Sequence, residues 1–339
     1  MFDMIKELCL LNGISGREDD VRNYITDKVK TFANCKYYVD ALGNVIVEKE
    51  GKLPSKNRIM LDAHMDEVGF IVTDITDDGF IKFDCVGGID NSILPAKRVR
   101  IGDTFGVIGV KPVHLLSKDE SKKVIDIENL YIDIGSSCKA KTLDKVSIGE
   151  SIYFESEYYE FGDGFIKSKA LDDRFGCAML LKLLEDDTDE GFVCTFSTQE
   201  EIGTRGAAVL CTQVKPDRAI VIETTTACDL DGVSHDKQVC NLGDGPVVSF
   251  MDRGTVYERD MFNKAFEIAK KNGIKCQTKR LIAGGNNSSA IHKSYVGVKT
   301  VAVSLACRYL HSPSCVIKKT DVDEIYRLLK LMIKEYSND

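Results

Sequence analysis

Apolar and polar positions divide the chain into three textures. The first 68 residues mix helix and strand signals. MFDMIKELCLLNG places its apolar residues at helical spacing and stops at Gly13. Ser15-Gly16-Arg17-Glu18 has the form of a capping box, and Val21, Tyr24, Ile25 and Val29 then recur with a helical period. Residues 37–39 and 44–48 read as strands joined at a Gly43 turn. RIMLDAHMD (58–66) reads as an apolar strand whose end carries Asp62, His64 and Asp66, which alternation puts on one side.

Residues 69–163 look different. GFIVTDITDDGFIKF, RVRIGDTFGVIGV, LYIDIGSS and VSIGESIYF are short β-prone runs between glycine turns, with almost no helical period. This spacing predicts a β-barrel or sandwich. His114 falls in it and reads as a plain loop histidine.

Beyond residue 164 strand and helix alternate again. Residues 165–169 form a short strand leading through Ala170-Leu171-Asp172-Asp173-Arg174 into the apolar helix FGCAMLLKLL. Strands are predicted at 192–196, 218–223, 247–251 and 300–305, with a polar loop over 224–229. Helices are predicted from 207, over 259–272 and over 322–336, and a Gly-rich turn at 284–288 precedes a short helix bearing His292. The pattern predicts a mixed-sheet α/β domain, residues 1–68 and 164–339, interrupted by an inserted β-barrel, residues 69–163.

Composition narrows the function. With 339 residues, a net charge of −8 and no basic stripe, the chain is not built for a nucleic-acid backbone. No apolar run reaches the ~18 residues of a membrane span, and the N-terminus lacks the basic region and cleavage site of a signal peptide. The 12 cysteines stand singly among apolar neighbours without a Cys-x-x-Cys, which predicts reduced thiols and a cytoplasmic location.

Candidate chemistry gathers at the predicted strand ends. After strand 192–196 come two adjacent acids, Glu200 and Glu201, in STQEEIGTRGA. Taken alone such a pair is usually solvated. In an α/β sheet, however, ligands bind beyond the carboxyl ends of strands, and two neighbouring glutamates there call for a cation. One could ligate a metal while the other handles a proton. His64, Asp172, Glu223 and His311 also stand at strand ends or strand-to-helix junctions, although Asp172 and Asp173 could equally cap the helix. Two histidines and three carboxylates, from Asp172, one of the Glu200–Glu201 pair and Glu223, suffice for two divalent ions ~3.5–4 Å apart. Nitrogen and oxygen donors without thiolate suit zinc first, and also cobalt or manganese. His-Glu-x-x-His, Gly-x-Ser-x-Gly and Gly-Lys-Ser/Thr are absent, so zincin, serine-hydrolase and P-loop chemistries lose their sequence support.

LDAHMDEVGF, GVIGVKPVHLL, YIDIGSS, KALDDRFGC, STQEEIGTRGA and RYLHSP, in this order, resemble the tetrahedral or glutamyl aminopeptidases, some of which carry the name cellulase or endoglucanase. The resemblance covers nearly the whole chain. It implies a co-catalytic metallopeptidase fold with an inserted barrel, and two metal ions per subunit. His64, Asp172 and Glu223 would hold one ion, and Asp172, Glu201 and His311 the other. Glu200 would be the general base towards a bridging water, and Asp66 would orient His64. It also implies short peptide substrates and dimers that assemble into a dodecamer. The competing functions are a silent relative that binds peptides or supports assembly, and a metal-dependent deacylase. The family carries Asp at the place of Glu223, and Gly-Gly-Thr-Asp where this chain has Gly284-Gly285-Asn286-Asn287. With Arg308 near His311 in sequence, the neutral Asn pair predicts a pocket that takes acidic or neutral polar first residues and disfavours basic ones, unless Arg308 pairs with a structural carboxylate such as Asp229.

Overall fold

The computed structural model describes residues 1–119 and 122–339. Helices α1 (Phe2–Leu10) and α2 (Asp19–Val29) lead into β1 (Cys35–Val39), β2 (Val45–Lys49) and β3 (Ile59–His64). The insertion follows as β4 (Gly69–Ile75), β5 (Ile81–Val86), β6 (Arg98–Ile101), β7 (Thr104–Gly109), β8 (Tyr131–Asp133), the short helix α3 (Lys139–Leu143) and β9 (Ser151–Phe154). Then come β10 (Tyr159–Phe161), β11 (Phe165–Ser168), α4 (Leu171–Glu185), β12 (Phe192–Ser197), α5 (Ala207–Val214) and β13 (Arg218–Thr226). The chain closes with β14 (Val247–Val248), α6 (Arg259–Lys271), β15 (Gln277–Thr278), α7 (Ser288–Ile291), β16 (Lys299–Cys307), β17 (Cys315–Lys318) and α8 (Lys319–Asn338).

An eight-stranded sheet runs β1-β2-β12-β3-β13-β16-β14-β15. Its centre, β12-β3-β13-β16, is parallel, so four strands deliver their carboxyl ends to one rim. Both faces are covered, as a parallel centre requires. On β3, Ile59, Leu61 and Ala63 enter the large core shared with α1, α2, α4, α6 and α8, while Met60 enters a smaller core with α5 and α7. The α/β expectation is borne out, and so is the barrel: β4-β5-β8-β7-β6-β9 close into an antiparallel barrel around a separate core that includes Phe70, Phe83 and Phe154. β10 pairs instead with β11, and β11 with β17.

Three expectations are corrected. The capping box does not form. α2 starts after Glu18, the Ser15 hydroxyl donates to Asp66 Oδ2 (2.6 Å), and the Glu18 carboxylate accepts from Gly16 N and Gln199 N. Buried Asp66 competes for the hydroxyl that would otherwise cap the helix. The polar stretch after Glu223 begins as strand, because β16 pairs with β13 out to Thr226↔Cys307. The strand expected at 247–251 shortens to Val247–Val248, and Met251 bridges to Val256 across the following turn. All 12 cysteines are free thiols, and no described helix is long and apolar enough to cross a membrane.

Candidate metal centre

The rim of the parallel strands assembles the site. Ser197 pairs with His64 across β12 and β3, and Val221 with Asp62 across β13 and β3, so Glu223 rises beside His64. Asp172 comes from the first turn of α4. There Ala170 adopts left-handed backbone, Asp172 and Asp173 are non-helical, and their peptide bond is cis. His311 stands in the turn between β16 and β17.

Asp172 lies between the two histidines. Its Oδ1 is 3.3 Å from His64 Nε2, and its Oδ2 is 3.3 Å from His311 Nε2. Glu223 Oε1 is 3.5 Å from His64 Nε2, and Glu201 Oε2 is 3.4 Å from His311 Nε2. The imidazoles are held alike. His64 Nδ1 lies 3.0 Å from the Asp66 carbonyl oxygen, and His311 Nδ1 lies 2.6 Å from that of Gly88. A carbonyl only accepts, so each Nδ1 carries its hydrogen and each Nε2 is left facing the carboxylates.

Asp66 organises more than one neighbour. It is fully buried, and its carboxylate accepts from Glu200 N (2.9 Å), Glu201 N (3.1 Å) and the Ser15 hydroxyl, with Oδ1 3.4 Å from His64 Nδ1. The turn bearing the two glutamates is closed by Gly203 N and Thr204 N donating to Glu200 O, and by Gly206 N donating to Thr198 O. Gly206 is required there, since a Cβ would lie 2.3 Å from Asn44 Oδ1 and 2.4 Å from Thr198 O.

A second buried network sets the strand end against α4. The fully buried Arg174 donates Nε to Met65 O (2.8 Å), Nη1 to Leu8 O (2.7 Å) and Nη2 to Gly13 O (3.2 Å). Lys169 donates to both oxygens of Glu67 and to Leu11 O. Gly13, read from sequence as a helix stop, is where the backbone meets Arg174: a Cβ would sit 2.8 Å from its Nη2.

The electrostatics call for cations. Burial pushes Glu223 and Glu201 well above the usual carboxylate range, with the Asp172 charge adding to it. Burial also raises Glu200, to about 7, against the pull of His64 and with help from Asp66 and Asp172. Asp172 goes the other way: burial opposes its charge, but His311 and His64 outweigh that. Burial works against a charged His64, yet Glu223, Asp172 and Asp66 hold it well above its ordinary value. Asp172 Oδ1 and Asp173 Oδ2 are buried and accept no hydrogen bond. Groups able to hold an ion are His64 with Asp172 and Glu201, and His64 with Asp173 and Glu223. Orphaned carboxylate oxygens beside nitrogen donors fit divalent metal ions.

These residues floor a cavity of about 440 Å³, walled by Lys279, Gly284, Gly285 and Asn286 and, from the insertion, Gly88 and Asp90. The other polar candidates of the sequence lie outside the cluster. Asp62 is not in the cluster: it is buried beneath it, accepting from Thr195, Ser197 and Asn287. Asn287 therefore faces inward, with Nδ2 2.8 Å from Asp62 Oδ2. Arg308 is engaged by Asp229 through two bonds of 2.7 and 2.8 Å. His292 bonds within its own turn, and His114 is exposed on the barrel. Gly88 and Lys279, a carbonyl and an isolated lysine, carry no local signal in the sequence, and Asp173 reads there only as a possible helix cap.

Residues 43–328 match the family described as M42 glutamyl aminopeptidase. A putative aminopeptidase of Acetivibrio thermocellus is 36% identical over 331 residues, 97% of each chain. A lysyl aminopeptidase of Pyrococcus furiosus is 30% identical, covering 98% of this chain and 97% of that one. The TET1 peptidase of Pyrococcus horikoshii, whose structure is described as assembling into a tetrahedron or a large octahedral shell, superposes with a TM-score of 0.85 at 34% identity over 98% of both chains. With a match this long, on a fold whose strand ends gather histidines and acids able to hold a metal, the chain belongs to the M42 glutamyl aminopeptidase family and is a metallo-aminopeptidase.

Proposed function

We propose that the site releases N-terminal residues from short peptides using two divalent ions, zinc first and otherwise cobalt or manganese. His64, Asp172 and Glu223 hold one ion. Asp172, Glu201 and His311 hold the other. The observation that carries this assignment is Asp172, whose two oxygens lie 3.3 Å from two different histidines. A paired metal centre supplies Lewis acidity and an acidified water at neutral pH. The chain's own residues do the rest. Glu200 takes the proton of the attacking water and passes it to the leaving amine. Its backbone is fixed by Asp66 next to the ligand Glu201 while its carboxylate stands outside the ligand set, as suits a group that must both accept and return a proton. Asp66 positions His64 and, through its bonds to two backbone amides, both glutamates.

The same reading has dimers assembling into a dodecamer in the cytoplasm; in support of the assembly, the P. horikoshii peptidase is described as forming a tetrahedron or a large octahedral shell. The division into residues 1–68 with 164–339, and 69–163, belongs to the same reading.

The test is Glu200→Gln. It keeps shape and ligands but removes the proton acceptor, so the variant retains wild-type metal content and loses at least ~100-fold in kcat on aminoacyl anilides. Near-normal turnover would remove Glu200 from the role. Wild-type turnover that survives complete chelation would remove the metals.

A further inference from the structure

Lys279 follows β15 and lines the cavity above the acidic cluster. It is only 5% exposed. Its amine makes one long contact, 3.5 Å to Ala283 O, and no carboxylate stands within ion-pair distance of it among the described residues. The nearby acid that could quench it is occupied elsewhere: Asp252 accepts from Gly254 N, Thr255 N and the Tyr257 hydroxyl. Arg308, the cation expected here from sequence, is spent on Asp229.

We propose that Lys279 is the specificity residue of this pocket and pairs with a carboxylate of the substrate. The inference rests on the aminopeptidase site proposed above. A buried ammonium without an anion is costly, and the chain provides no partner of its own. Once the acids below are engaged by divalent ions, they no longer offset its charge. Beside it the wall is open. A Cβ at Gly284 would meet nothing within 4 Å, and one at Gly285 only Gly254 N at 4.0 Å, which leaves room for a side chain next to the amine. An ammonium is a compact charge with three donors, suited to a carboxylate from either of two sources. One is an acidic side chain on the first residue, and the other is the free C-terminus of a dipeptide. The family match does not decide this, since a lysyl aminopeptidase matches over the same length.

The experiment compares wild type, Lys279→Met and Lys279→Arg at matched metal content. Substrates are the Glu, Gln and Leu p-nitroanilides, with Leu-Gly and Leu-Gly-amide for the second source. Calorimetry of glutamate and glutamine binding gives a readout apart from turnover. Wild type is expected to favour Glu over Gln by about tenfold in kcat/KM, and glutamate over glutamine in Kd. Lys279→Met should bring both ratios near one and leave Leu within about threefold, while Lys279→Arg keeps most of the preference. If only the Leu-Gly to Leu-Gly-amide ratio collapses, the carboxylate is the C-terminus. Carboxylate ratios unmoved in Lys279→Met, with Leu cleaved normally, would overturn the assignment. Should that variant not fold, a wild type indifferent to both carboxylates overturns it equally. A metal-loaded wild type that cleaves no anilide or dipeptide would instead sink the aminopeptidase reading, and glutamate binding would still decide Lys279.

Discussion

Asp172 shows how one residue turns two half-sites into a pair. Its oxygens diverge towards His64 and His311, which come from different strand ends and are held by different carbonyls. Each histidine therefore serves its own ion in the proposed assignment. His64→Ala should weaken one ion and His311→Ala the other, each by at least about tenfold, since each removes one of few donors. Metal titration of both variants reads this out. Unchanged stoichiometry and affinity in either would break the assignment. Asn287 shows the same economy. A carboxamide there donates to buried Asp62, where a carboxylate would compete with it for a proton.

Among the elements, the loop after β5 has the largest leverage over the site. It leaves the barrel at Val86, and two residues later the Gly88 carbonyl accepts from His311. Gly87 has a φ of +90°, and a Cβ there would lie 2.8 Å from Val68 Cγ1 and 3.3 Å from Glu201 Cβ. Gly87→Ala should therefore leave the melting temperature of the main domain within a few degrees and lower kcat/KM by at least about tenfold, because the loop cannot seat against Glu201 and His311. Circular dichroism and anilide kinetics separate the two effects. Unimpaired kinetics would show that the loop only decorates the site.

For the whole molecule, the barrel has its own core and antiparallel closure, yet it hands Gly88 and Asp90 to a cavity floored by the other half. Under the proposed division, the insertion both builds the assembly and completes the site. Intact protein should show a light-scattering mass several times the 37.6 kDa of one chain. Replacing residues 69–163 by a short linker should give a monomer, if soluble, and one without measurable aminopeptidase activity, because His311 loses its acceptor. A deletion variant that keeps the full mass would place the interfaces elsewhere.

The sequence by itself determined the periods and the ends. Helices α6 and α8, strand β3 and the short-strand texture of the barrel follow from where apolar residues recur, because burial of a face is a local demand on spacing. The metal-binding candidates were legible too, since ionisable groups just past apolar strands stand out against them. Tertiary structure decided who partners whom. Asp62 and His64 share a face of β3 in any reading, yet only packing sends Asp62 to Asn287, 225 positions away, and leaves His64 in the cluster. Gly88 reaches His311 across 223 positions, through a carbonyl that every residue possesses. Arg308 and Lys279 look alike as isolated cations in the chain. The fold gives Asp229 to the first and leaves the second facing the cavity, because a charge's role depends on the ions around it in space, which no local pattern encodes.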